Sequence, residues 1–231
     1  FLIIAYKELR RLEMEIFKEM GTLALSEISL SQFYGIEIDE FAKEVAILAL
    51  WLSKHQMNVE FYKEFGRTNP TLPLTDAGNI VQDNACKIDW EKVCQIYEND
   101  EVFILGNPPY AGARRQTPKQ KSDLKTVFGE RLNFNSLDYI TSWFFLGVNF
   151  LKGKKGALGF VSTSSIAEGD QVGLFWPLIL NSEVQIHFAH TSFIWTNNAR
   201  NKAGVSCVII GLKFNHYKNS IIYLPFYLSL Q

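Results

Sequence analysis

Residues 106–110 read Gly-Asn-Pro-Pro-Tyr and close the short apolar run Val102-Phe103-Ile104-Leu105. A chance match to the last four residues is on the order of one in a thousand for a chain of this length at average residue usage. These residue types suit the holding of a planar amino group so that its nitrogen can attack a methyl donor. The lone pair of such an amine, as on adenine, is delocalised into the ring. Two acceptors bound to its two hydrogens pull that lone pair toward a localised, attacking geometry. The Asn107 side-chain oxygen is one candidate acceptor. The Pro108 carbonyl is the other, since proline keeps its carbonyl while losing its N–H. Asn107 precedes proline and is biased to extended backbone, which fixes where its amide points. Tyr110 offers a flat face for stacking a base. Asn107, Pro108, Pro109 and Tyr110 are therefore the candidate catalytic residues, acting by position and electrostatics without a covalent intermediate. The plainer reading is a rigid Pro-Pro turn leaving a strand, with Tyr110 in the core.

Such a loop needs a scaffold, and the apolar pattern supplies one. Leu2, Ala5, Leu9, Leu12, Ile16, Met20 and Leu23 have helical spacing over residues 1–25, with a charged opposite face. Gln32–Ile38 reads as a strand. Phe41, Val45, Leu48, Ala49 and Leu52 mark a helix to about Met57. A polar, Pro-containing stretch follows over 66–78. Asn79–Gln82 reads as a strand, Trp90–Tyr97 as a helix and Val102–Leu105 as the strand before Asn107. Residues 111–136 are polar and without clear periodicity, so a long mobile segment is expected there. Leu137–Leu151 reads as a helix, Ala157–Thr163 as a strand and Leu174–Leu180 as a short helix. Glu183–Ala189 and Val205–Phe214 read as strands, with one more expected over 220–230. The alternation predicts an α/β fold, an open and mostly parallel sheet with helices on both faces.

In such sheets ligands bind at the carboxyl ends of the strands. Glu37, Asp83 and Asn107 all fall at such ends. A carboxylate at Glu37 suits the two hydroxyls of a ribose, and Ile38 beside it suits packing on an adenine ring. Asp83 suits an adenine amine. The plainer reading of Asp39 and Asp83 is helix capping. No G-x-G-x-x-G turn lies upstream of Glu37.

Composition bounds the remainder. The chain has 231 residues, enough for one large domain with its own core. It is 47% hydrophobic and 20% charged, which excludes a disordered chain. A net charge of -1 leaves no global signature for nucleic acid, so a surface of that kind must be local. Cys86, Cys94 and Cys207 lack C-x-x-C spacing and read as reduced thiols in a cytoplasmic protein. The four histidines form no zinc-type pattern, and no metal is expected. Phe1-Leu2-Ile3-Ile4 is too short to span a membrane and is followed at once by charge. It also lacks the features of a signal peptide. The chain starts without Met and in mid-element, so a fragment of a longer protein is expected.

The order of these pieces resembles S-adenosylmethionine-dependent DNA adenine methyltransferases of the gamma-like arrangement. More closely, it resembles the methyltransferase part of MmeI-like type II restriction–modification enzymes. The stretches carrying the resemblance are Phe1 to Arg10, Tyr34 to Asp39, Leu48 to Leu52, Gly106 to Tyr110, Phe188 to Phe193, and Ala203-Gly204-Val205. The resemblance implies a Rossmann-like class I methyltransferase, truncated at its N-terminus before a glycine-rich cofactor loop. It implies a methyltransferase domain over 1–214 and the start of a target-recognition region over 215–231. It places S-adenosyl-L-methionine on Glu37, Ile38 and Asp83, and a flipped adenine on Asn107 to Tyr110. It also implies nuclease and target-recognition parts elsewhere in the same polypeptide.

An adenine inside double-stranded DNA reaches Asn107 only if extruded. The segment after Tyr110 holds Arg114, Arg115, Lys119, Lys121, Lys125 and Arg131 against Asp123 and Glu130. Phosphate contact through Arg114, Arg115, Lys119 and Lys121 is expected, the alternative being a solvated loop. Phe193 and Trp195, expected just after a strand, are candidates for stacking on the flipped base, and core packing is the alternative. Ser162 to Ser165 are expected to flank the site. Asn-Pro-Pro-Tyr also serves enzymes acting on a protein glutamine or an RNA adenine, and a non-catalytic DNA-binding fragment is a further alternative. The basic segment favours DNA.

Overall fold

The structure, a computed structural model, describes residues 1–21, 25–67, 78–129, 134–181, 183–194 and 205–214. Leu23, Arg131, Trp195, the strand expected over 220–230 and the region 215–231 lie outside the described residues, as does most of the stretch 66–78. The chain divides into two compact units, Phe1–Gln95 and Ile96–Gln231. Among the described residues no helix is long and apolar enough to cross a membrane.

The first unit runs α1 (Leu2–Met20), β1 (Tyr34–Glu37), α2 (Glu40–Phe65), β2 (Asn79–Gln82) and a short α3 (Trp90–Val93). β1 and β2 pair in parallel, as expected of strands joined by a helical crossover. Asp39 caps α2 by accepting the Ala42 N–H at 2.8 Å, so its plainer reading holds. α2 stops only at Gly66, whose φ of 69° places it in the left-handed region, rather than near Met57.

The helices are where the apolar spacing puts them, and Leu2 and Ala5 pack against the core as expected, but the rest of each predicted stripe does not face inward. Leu9, Leu12, Ile16 and Met20 of α1 are exposed, and so are Phe41, Val45, Leu48 and Leu52 of α2. The inward side chains are Tyr6, Arg10 and Met14 from α1 with Leu50, Met57 and Phe61 from α2, packed with Leu30, Phe33 and Ile80. Arg10 lies on the inward face of α1. Its guanidinium donates to the Tyr6 hydroxyl at 2.7 Å and to Asn58 Oδ1 at 3.2 Å. It lies 3.5 Å from the Glu13 carboxylate and stands over the Tyr6 and Phe61 rings. Glu13 in turn accepts the Glu27 N–H at 2.8 Å. A charge with that many partners can be buried.

The second unit runs β3 (Glu101–Gly106), α4 (Pro118–Phe128), α5 (Thr141–Leu151), β4 (Lys155–Thr163), α6 (Asp170–Ile179), β5 (Val184–Ile194) and β6 (Ser206–Phe214). Its sheet order is β3-β4-β6-β5. β3 and β4 are parallel, whereas β6 runs antiparallel to both β4 and β5. The sheet is therefore mixed: β3, β4 and β5 point one way, in keeping with the mostly parallel α/β sheet expected, and β6 alone runs against them. β5 and β6 are consecutive strands, and such neighbours commonly pair antiparallel. Gly147 lets α5 lie close on the sheet: a Cβ there would stand 2.9 Å from a Leu158 methyl. Phe144 of the same helix meets Phe160, Phe175 and Trp176 edge-on.

The segment 111–136 is not the structureless stretch its polarity suggests. It holds a 3-10 turn at Ala113–Arg115 and the helix α4. Thr117 and Gln120 form a reciprocal capping box, and Pro118 occupies the first turn. Among the segment's described residues Leu124 and Phe128 are the fully buried apolar side chains, too few for a visible period.

Candidate active site

The amine-holding loop leaves β3 directly. Gly106 is the last residue of the β3–β4 ladder, paired with Phe160, so Asn107 starts from a fixed strand end. Asn107 is exposed, Pro108 buried and Tyr110 half-buried. The Tyr110 hydroxyl donates to Asn107 Oδ1. The acceptor assigned to the amine is thus already presented to a donor, and Tyr110 is held over its own loop rather than in the core.

Tyr110 has a second neighbour that sequence reasoning missed. Its hydroxyl and the Cys207 thiol lie within hydrogen-bonding reach. Burial raises the Tyr110 hydroxyl above its ordinary pKa, the thiol adds to that, and the bond to Asn107 opposes it. Burial raises the Cys207 thiol likewise, while its bond to Tyr110 acts the other way. Cys207 is the second residue of β6, and its register partners are Thr163 on β4 and Phe193 on β5. Phe193 therefore stands directly across from the residue that touches Tyr110. It does not follow a strand ending near Ala189, as expected. β5 runs on to Ile194 through irregularities after Ile186 and after His190. No local pattern marks Cys207 as part of this cluster.

The rear of the loop is fastened by buried polar groups that were also missed. The Ala111 carbonyl accepts from the Tyr139 N–H at 2.9 Å and from Gln116 Nε2 at 3.2 Å. Gln116 Nε2 also donates to the Leu137 carbonyl at 2.8 Å. Asp138 Oδ1 accepts the Ala113 N–H at 3.1 Å, and Asp138 Oδ2 accepts the Ser165 hydroxyl at 2.6 Å. Of the serines expected to flank the site, Ser165 joins this network, and Ser162 is wholly buried on β4. Tyr139 binds the buried Asp123 at 2.8 Å and so ties α4 to the same ground. Arg114 and Arg115 lie in the 3-10 turn, Lys119 and Lys121 on α4, and all four are exposed.

In the first unit, Glu37 ends β1 and Asp83 directly follows the end of its parallel neighbour β2. Glu37 accepts the Ile38 N–H at 2.9 Å and the Asp39 N–H at 3.4 Å, both on Oε1. Ile38 is 56% exposed. Asp83 accepts the Asn84 N–H at 2.6 Å and caps no helix, since the N-cap of α3 is Asp89. Among the described residues no cluster of side chains could hold a metal ion.

Parallel strand pairs joined through helices, with polar residues at their carboxyl ends, define an α/β protein. The chain belongs to the family described as "MmeI, DNA-methyltransferase domain", which it matches over residues 1–224. It is 44% identical over 217 residues to DNA methyltransferase A of Bacillus subtilis (strain 168), covering 91% of this chain and 25% of that protein. It is similar to the structure of the type IIL restriction-modification enzyme MmeI in complex with DNA. The TM-score is 0.84 at 40% identity, over 96% of this chain and 31% of that one. The chain thus spans a quarter to a third of the length of these relatives.

Proposed function

We propose that this chain is the catalytic part of a DNA adenine-N6 methyltransferase of Rossmann-like class I type, acting on double-stranded DNA in the cytoplasm. We read it as one part of a restriction–modification enzyme whose nuclease and target-recognition parts lie elsewhere in the polypeptide. The observation that carries this reading is Asn107-Pro108-Pro109-Tyr110 at the carboxyl end of β3, with a donor already on Asn107 Oδ1. An extruded adenine offers two amine hydrogens to Asn107 Oδ1 and the Pro108 carbonyl, displacing the Tyr110 hydroxyl. That pairing localises the nitrogen lone pair and aims it. The freed Tyr110 ring stacks on the base, and Phe193 forms a further apolar wall.

S-adenosyl-L-methionine supplies an electrophilic methyl group when bound. The donor set at the β1 and β2 ends fits it: one carboxylate with both of its hydrogen bonds on a single oxygen, an exposed apolar side chain beside it, and a second carboxylate. Glu37 would accept the ribose hydroxyls, Ile38 would pack on the cofactor adenine, and Asp83 would accept from its amine. Arg114, Arg115, Lys119 and Lys121 would neutralise phosphates. DNA is favoured over RNA or a protein amide by the family to which the chain belongs.

Radiolabelled methyl transfer by the full-length protein and its Asn107→Ala variant tests the reading on duplex DNA, RNA and protein substrates. Label on adenine N6 of DNA, lost by about two to three decades in the variant at unchanged cofactor affinity, is the expected outcome. Near-normal turnover of the variant overturns it.

A further inference from the structure

We propose that Asp138 is a positioning residue that sets the loop carrying Asn107 and Tyr110. This rests on the assignment of that loop to catalysis and adds a residue no motif marks. The loop is held in front by the β3–β4 ladder through Gly106 and Phe160. Behind Tyr110 the chain has only a few residues before the Ala113–Arg115 turn. There the Ala113 N–H goes to Asp138 Oδ1 at 3.1 Å.

The other carboxylate oxygen reaches a different strand. Asp138 Oδ2 accepts the Ser165 hydroxyl at 2.6 Å, and Ser165 shares a 2.7 Å hydrogen bond with Thr163, the last residue of β4. One side chain thus joins the segment leaving β3 to the segment leaving its parallel neighbour. Its own backbone is fixed as well. The Asp138 N–H donates to Gln171 Oε1 at 3.1 Å, and the Asp138 carbonyl accepts the Thr141 hydroxyl at 2.7 Å. Asp138 is 7% exposed. A carboxylate is kept at such a place only with dedicated donors. Here the donors come from the two segments whose spacing decides where Asn107 points. A displacement of roughly 1 Å in such a group costs on the order of a hundredfold in rate.

The test uses the full-length protein, with methyl transfer to duplex DNA, cofactor and DNA affinities, and thermal unfolding measured in parallel. Asp138→Ala should lower kcat by about 10- to 100-fold with cofactor and DNA affinities unchanged. Asp138→Asn should restore most of the rate. Its oxygen still accepts the Ala113 N–H, and its amide donates to Ser165, whose proton turns to Thr163. Ser165→Ala removes one arm only and covers the case in which Asp138→Ala fails to fold. It should lower kcat several-fold at an unchanged melting temperature. Normal kcat in Asp138→Ala, or in Ser165→Ala where the former does not fold, overturns the proposal. An inert Asp138→Asn that is folded and binds DNA also overturns it, since the geometry it keeps would then be irrelevant. Asn107→Ala is run alongside. If it is inactive while the Asp138 variants are normal, only the positioning role fails. If it is active, the assignment of the loop fails.

Discussion

The Asp83 N–H donates to the Glu37 carbonyl at 2.9 Å, one step beyond the last paired residues of β1 and β2, Glu37 and Gln82. Two acidic residues from distant parts of the sequence are thereby locked side by side at one sheet end. The bond is made by backbone, so it does not depend on either carboxylate.

That separation of scaffold from side chain makes Glu37 a clean test. Glu37→Ala in the full-length protein should weaken S-adenosylmethionine binding by about 2–3 kcal/mol, because charge-assisted bonds to two hydroxyls disappear. Calorimetric titration reads this as roughly a 30- to 150-fold rise in Kd. The β1–β2 pairing and the melting temperature should hold. Equal dissociation constants would assign Glu37 to the turn at Ile38 and Asp39 and to nothing else.

The basic residues after the loop make a second prediction. Replacing Arg114, Arg115, Lys119 and Lys121 together by Gln should weaken DNA binding on every sequence alike. The slope of log affinity against log salt should fall by about 0.9 for each phosphate no longer neutralised. Sequence preference should stay, since phosphate contacts position a protein without reading bases. All four are exposed on ordered backbone, so folding should be untouched. An unchanged salt slope would reduce them to solvated surface.

A third prediction concerns the sheet that carries the loop. Gly156 sits at φ 145°, and a Cβ there would stand 1.9 Å from the Val102 carbonyl oxygen. Neither backbone can retreat without opening the β3–β4 ladder, in which these two residues are partners. Gly156→Ala should therefore destabilise the protein by at least about 3 kcal/mol, read as a lower denaturant midpoint. A wild-type midpoint would mean that the register of β3 on β4 is not as described.

The parts legible in the sequence are those that short stretches determine. Asn-Pro-Pro-Tyr after four apolar residues is local, because proline restricts its own backbone and that of the residue before it. Strand ends at Glu37, Asp83 and Asn107 are visible because an apolar run stops there. α4 was not legible, since a mostly solvated helix carries no apolar period. The burial of Arg10 was not legible, because it reads as a surface charge until Tyr6, Asn58 and Glu13 are seen around it.

Sequence alone, then, determined the chemistry this chain offers: an amide oxygen and a proline carbonyl on a stiffened turn, and acidic residues where strands end. Those depend on backbone restriction and on patterns within a few residues. Tertiary structure alone decided which distant groups stand behind that chemistry. Cys207 reaches Tyr110 through the pairing of β6 with β4, Phe193 joins them through a β5 lengthened by bulges, and Asp138 meets Ala113 and Ser165 because two parallel strands end together. Such contacts arise from strand register and the burial of polar groups against one another. Neither leaves a periodic trace along the chain.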